Sequence, residues 1–201
     1  MALRIGVLAL QGAFAEHQVA LTRLGAVATQ VRLAQELEGL DGLIIPGGES
    51  TTMGKLALDF GLLEPLRIFG QTHAIWGTCA GAILLSRDAR RNQPLLGLMD
   101  VTVERNAFGR QTESFEVDLN VSALSTPERP FHAVFIRAPL IESVGPTVQT
   151  LAILPMDYAG RRPDLGGKIV AAQQGRLLAT SFHPELTPDD RFHRYFMELA
   201  A

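Results

Sequence analysis

The chain has 201 residues, of which 47% are hydrophobic and 19% charged, enough to bury one sizeable core and best read as a single domain over residues 1–201. A formal charge of −3 without any Lys/Arg cluster argues against nucleic acid or an anionic membrane surface as the main partner, and Arg90-Arg91 and Arg161-Arg162 read as solvated loop pairs. One cysteine rules out an intrachain disulfide, which suits a reducing compartment, and no stretch nears the roughly 20 apolar residues of a membrane span.

The apolar run Ile5–Leu10 faintly imitates a signal peptide, but it is too short and Gln11-Gly12 breaks it. It is expected to be a first buried strand of a cytoplasmic protein. Glu16–Leu24 follows with helical spacing of Val19, Ala20, Leu21 and Leu24 before Gly25 stops it. Val27–Leu33 and Leu43–Ile45 then read as strands, and near-continuous apolar strands alternating with helices predict a parallel sheet covered on both faces. After Pro46-Gly47-Gly48-Glu49, residues Ser50-Thr51-Thr52 offer N-cap side chains for a helix over Met53–Phe60, and Leu62–Phe69 supplies a second amphipathic piece.

Ala74-Ile75-Trp76, a glycine-flanked Cys79, and Ala82-Ile83-Leu84-Leu85 predict strand, sharp turn and helix. From Leu98 onward the texture changes. Val101–Glu104, Phe115–Leu119, Ala133–Ile136, Val148–Leu154, Ile169–Gln173 and Leu177–Phe182 are short strands between Gly, Pro and polar residues, which predicts an added antiparallel section. Met156–Lys168, carrying Gly160, Gly166 and Gly167, is expected to be an exposed loop. Thr187-Pro188-Asp189-Asp190 predicts a helix start, with Phe192, Tyr195, Phe196 and Leu199 on its inward face.

Three segments carry candidate chemistry. Gly77-Thr78-Cys79-Ala80-Gly81 has the pattern of a nucleophile elbow, with Cys where hydrolases of that pattern carry Ser. Small neighbours let the chain reverse there and push the thiol into open space, where the following N–H groups favour a thiolate. A cysteine nucleophile needs a base and the base an orienting group. Ser181-Phe182-His183-Pro184-Glu185 supplies both at a strand's end, and extended backbone would point His183 and Glu185 to the same side. The third segment, Pro46–Ser50, has glycines whose N–H groups, with that of Ala80, can face a developing oxyanion. The other four histidines, His17, His73, His132 and His193, have no such pattern and read as surface or satisfied core groups. No His or Cys spacing fits a metal site, so none is expected.

With Pro46–Ser50 upstream and His183–Glu185 downstream, Gly77–Gly81 resembles the class I glutamine amidotransferases. Leu10-Gln11-Gly12, Glu49–Met53, Glu104–Gln111 and Phe135–Pro139 narrow the likeness to the glutaminase subunits of pyridoxal 5′-phosphate synthase, over nearly the whole chain. The resemblance implies a doubly wound, flavodoxin-like α/β fold with a mostly parallel central sheet. It implies that Cys79, His183 and Glu185 hydrolyse L-glutamine through a thioester, with no cofactor. It further implies that Gly47, Gly48, Glu49, Arg105, Ile136 and Arg137 bind glutamine, and that Gly48 and Ala80 form the oxyanion hole. The implied partner is a separate (β/α)8-barrel synthase subunit, which receives the ammonia in a hetero-oligomeric complex. One departure is the length of Met156–Lys168, where the family pattern has a shorter connection. Leu10-Gln11-Gly12, at the carboxyl edge of the sheet, is a place where the partner can act on the oxyanion loop. The rival readings are another cysteine hydrolase on the same architecture and a noncatalytic interaction module.

Overall fold

A computed structural model describes residues 2–105, 114–156 and 165–201. The first half alternates strand and helix: β1 (Arg4–Leu8), α1 (Phe14–Arg23), β2 (Val27–Val31), β3 (Gly42–Ile45), α2 (Ser50–Asp59), α3 (Leu63–Gly70), β4 (Ala74–Thr78) and α4 (Ala80–Leu85). The second half is mostly strand: β5 (Ser86–Asp88), β6 (Met99–Glu104), β7 (Ser114–Leu119), β8 (Phe131–Ile136), β9 (Leu140–Val144), β10 (Gln149–Ile153), β11 (Ile169–Gln174) and β12 (Leu177–Thr180). Helix α5 (Arg191–Ala200) closes it.

The main sheet runs β2-β1-β3-β4-β12-β11-β9-β6-β5, with β10 added on β11. From β2 to β12 every pairing is parallel. That order reverses direction between β1 and β3, the switch point at which doubly wound sheets open a crevice at their carboxyl edge. The antiparallel section expected from the second half is present in β12–β11, β11–β10, β11–β9 and β9–β6. Strands β7 and β8 leave it to form a separate two-stranded sheet.

Alternation along the parallel strands sorts the core into two layers. Ile5, Val7, Ile44 and Trp76 face one side, with Leu21 of α1 and Phe192 and Phe196 of α5. Leu8, Leu43, Ile45 and Ile75 face the other, with Met53, Ala57, Leu66 and the apolar residues of α4. Because both faces are covered, the strands are apolar almost throughout instead of alternating with polar residues.

Four local expectations need correction. Helix α2 begins at Ser50, and its cap is Glu49, whose carboxylate accepts from the Thr52 N–H. The anionic oxygen binds the exposed N–H groups of the first turn more strongly than a hydroxyl does. Helix α5 begins at Arg191, not Pro188, because the Asp189 side chain bonds the Arg191 N–H and guanidinium and ends the preceding loop there. The segment after His183 is a 3-10 turn over Pro184–Leu186, not extended chain. Strands β5 and β9 were not expected, since Ser86–Asp88 and Leu140–Val144 lack a long apolar alternation. The middle of the 156–168 loop and most of the Glu104–Gln111 segment, including Arg110, lie outside the described residues.

Candidate active site

Cys79 sits between β4 and α4 with φ 48° and ψ −108°, one of few non-glycine residues at positive φ among the described residues. Such a conformation costs on the order of 1–3 kcal/mol and persists only where the surroundings enforce it. Here they do. The Cys79 N–H donates to the Thr180 carbonyl at 2.8 Å, tying the elbow to the end of β12. A Cβ at Gly81 would stand 1.9 Å from the Ile45 carbonyl oxygen, and one at Gly77 2.4 Å from the Gly81 carbonyl oxygen. Both flanking glycines are therefore required by close backbone approach, which the sequence pattern encodes.

Strand β12 is parallel to β4 and brings its own end beside the elbow, where the His183 N–H donates to the Val134 carbonyl at 2.9 Å. His183 Nδ1 lies 2.7 Å from Glu185 Oε1, and the Glu185 side chain is fully buried. Burial opposes a charge on the imidazole, but the bonds to Cys79 and Glu185 outweigh it and raise the His183 pKa to about 10. The raised value favours a protonated ring, which the Glu185 carboxylate at 2.7 Å and the neighbouring Cys79 side chain support. Cys79 Sγ is also 4.0 Å from the Ile136 carbonyl oxygen.

A cavity of about 230 Å3 opens over the sulfur, with Gly48, Glu49, Cys79, Ala80, Arg105, Ile136, Arg137 and His183 among its walls. Every expected site residue except Gly47 and Glu185 thus faces it. Glu185 lies behind the imidazole, with its Oε1 2.7 Å from His183 Nδ1. Gly47 does not line the cavity; it packs beside Cys79 and His183, and a Cβ there would stand 2.4 Å from His183 Cε1 and 3.3 Å from Cys79 Cβ. Its requirement is the space that the imidazole occupies.

The loop over Gly47–Glu49 is clamped by the loop after β1. The Ala13 N–H donates to the Gly47 carbonyl at 3.0 Å, and Gln11 Oε1 accepts from the Glu49 N–H at 2.7 Å. Gly12 has φ 99°, and a Cβ on it would meet the Gly47 carbonyl oxygen at 1.8 Å.

Arg105 Nη2 donates to Glu49 Oε1 at 2.7 Å and its Nη1 to Gln93 Oε1 at 2.9 Å. Partial burial works against the Glu49 charge, yet bonds from Thr51, Thr52 and Arg105 bring its pKa down to about 2. Arg137, at φ 46°, stands across the cavity at the end of β8. Among the described residues, no cluster of His, Cys, Asp and Glu has the composition to hold a metal ion. No helix among them is long and apolar enough to cross a membrane.

His17, read from the sequence as a surface or satisfied core group, is the core group. Its ring is fully buried, with Nε2 3.4 Å from Glu185 Oε2 and Nδ1 3.0 Å from His193 Nε2. Only its place in α1, three residues after Phe14, hinted at an inward face, and nothing local pointed to Glu185.

The profile of the SNO glutamine amidotransferase family matches residues 7–201. A pyridoxal 5′-phosphate synthase subunit PdxT from Pelotomaculum thermopropionicum is 56% identical over 198 residues, covering 98% of this chain and 94% of that protein. The subunit of the same name from Herpetosiphon aurantiacus is 55% identical over 200 residues, covering 97% and 99%. The crystal structure of a glutamine amidotransferase superposes with a TM-score of 0.87 at 51% identity and covers 98% of both chains.

Proposed function

This chain belongs to the SNO glutamine amidotransferase family, and from that premise we propose that it hydrolyses L-glutamine with Cys79, His183 and Glu185 and passes the ammonia to a pyridoxal 5′-phosphate synthase subunit. The observation that carries the reading is the row formed by sulfur, imidazolium and buried carboxylate, with His183 Nδ1 2.7 Å from Glu185 Oε1.

In this reading the Cys79 thiolate adds to the side-chain carboxamide carbon, and the carbonyl electrons move onto oxygen. The N–H groups of Gly48 and Ala80 receive that oxyanion. The tetrahedral species collapses, the C–N bond breaks, and His183 gives its proton to the departing nitrogen. Neutral His183 then takes a proton from water, whose oxygen attacks the thioester carbon. The C–S bond breaks, glutamate leaves, and the thiolate and imidazolium are restored. Glu185 holds the imidazole in the tautomer that both steps need. Glu49 and Arg105, with Ile136 and Arg137 opposite, line the space for the amino acid end of glutamine. A guanidinium suits an α-carboxylate through paired hydrogen bonds, and Arg137 is the guanidinium for that contact because Arg105 already serves Glu49 and Gln93.

The partner is the (β/α)8-barrel synthase subunit, engaged in a hetero-oligomeric complex. The clamp of Gln11 and Gly12 on Gly47–Glu49 gives such a partner a handle on the oxyanion loop, since moving the first loop moves the second. Ammonia release from glutamine, measured with and without that barrel subunit, tests the whole reading. The complex is expected to turn over glutamine, and Cys79→Ala to lose at least about 10⁴-fold in kcat. Turnover that survives Cys79→Ala would sink it.

A further inference from the structure

Behind the triad, two histidines continue the row into the core, and the proposed hydrolysis makes no use of either. His17 comes from α1 and His193 from α5; both are essentially fully buried and packed edge-on against the Trp76 indole. His17 Nε2 is 3.4 Å from Glu185 Oε2 and 3.2 Å from Thr78 Oγ1, while Nδ1 is 3.0 Å from His193 Nε2. Two atoms at the ends of this row, Glu185 Oε2 and His193 Nδ1, are buried without a hydrogen-bond partner.

Those two atoms fix the protons. An unpaired buried N–H is rarer and costlier than an unpaired acceptor, so His193 Nδ1 carries no hydrogen and the proton sits on Nε2. His193 Nε2–H then donates to His17 Nδ1. His17, left with its proton on Nε2, donates that N–H to Thr78 Oγ1 at 3.2 Å, beside Glu185 Oε2 at 3.4 Å. The opposite tautomer would set a ring lone pair against a carboxylate lone pair in a dry site. Burial, with the neighbouring His193 and His183, pushes the His17 pKa well below its usual value, and burial brings His193 down to about 4, so both rings are neutral donors. Asp190 acts on His193 in the opposite sense, and Arg23, bonded to Asp190, offsets it.

We infer that His17 is a positioning residue for the reaction: its neutral ring, with Nε2–H anchored on Thr78 Oγ1, presents its positive edge 3.4 Å from the second oxygen of Glu185, so that the first stays aligned against His183. This rests on the Cys79-His183-Glu185 reading and extends the row by a neutral donor that adds no charge to the core. A cation in its place would compete with His183 for the carboxylate.

The decisive comparison is between His17→Met, which keeps volume and loses the donor, and His17→Gln, whose amide nitrogen reaches the place of Nε2. In the complex with the barrel subunit, His17→Met is expected to lose about 10- to 100-fold in kcat, the usual loss for an outer-shell orienting partner. KM should move less than about twofold and His17→Gln should recover most of the rate. In the isolated chain, the pH dependence of Cys79 alkylation by iodoacetamide reports the thiolate directly, without any glutamine chemistry. It should shift upward by about one unit in His17→Met, because a less firmly held carboxylate supports the imidazolium less. A folded His17→Met with wild-type kcat and alkylation profile overturns the inference. Nitrogen-15 NMR of the histidine rings in the unmutated protein reads the tautomers independently of either variant. A proton on His17 Nδ1 at neutral pH overturns it as well. Failure of the glutaminase reading shows instead as absent Cys79-dependent turnover in the unmutated complex.

Discussion

Glu49 and Glu185 are the two carboxylates of the site, and the fold holds them in opposite ways. Glu49 stands on the cavity rim with its side chain 45% exposed, and two of its donors, Thr51 and Thr52, lie in the first turn of the helix it caps, with Arg105 joining them from beyond β6. Glu185 is fully buried, and its neighbours His183 and His17 arrive from the end of β12 and from α1. A charge at a helix start is supported by groups two or three residues away and by water. A dry charge needs donors aimed at it by elements that meet only in the folded chain. Catalytic orientation demands the second arrangement, because a carboxylate shared with water does not hold one ring in one tautomer.

Substitutions on the two sides should separate these roles, beginning with the buried one. Glu185→Gln keeps the shape but presents a neutral amide to His183, and kcat for glutamine in the complex should fall by about 10⁴-fold with KM little changed. A fall of less than tenfold would remove Glu185 from the row. Gly47→Ala acts on the same imidazole from the other side, since its Cβ would lie 2.4 Å from His183 Cε1. Displacing the ring by part of an ångström should cost on the order of 10²-fold in kcat. Circular dichroism should show the fold retained. The rim gives the smallest effect. With the Glu49 pKa lowered from 4.5 to about 2, its contribution to stability is present above pH 4.5 and lost as pH falls toward 2. Solvent screening keeps that contribution small at a half-exposed group. Thermal melts of Glu49→Gln should therefore slope less steeply than wild type over that window, and match it in slope near neutrality.

Much of this was legible because it is local. The alternation of apolar strands and helices in residues 1–85 predicts the parallel half, and Gly77–Gly81 predicts the elbow, since Gly77 answers to the backbone of that same turn, whereas Gly81 answers to Ile45 of β3. The pairing of His183 with Glu185 was also legible, although the geometry behind it is a 3-10 turn and not extended chain. Strand β9 was not legible, because its partners β6 and β11 supply the pattern that its own short sequence lacks. The need for glycine at position 47 was not legible for a similar reason: the atom that forbids a side chain there belongs to residue 183.

By itself the sequence determined the alternation of strands and helices in the first half, the sharp turn that raises Cys79, and the presence of an imidazole and a carboxylate two positions apart. Those features depend on neighbours in the chain and on hydrophobic period, which any reader of the residues can count. Only the tertiary structure decided that His17 and His193, 176 positions apart, meet end to end behind Glu185. No local periodicity distinguishes a histidine placed beside a buried carboxylate from one that merely faces the core, because that placement is made by packing α1 and α5 on the same side of β4.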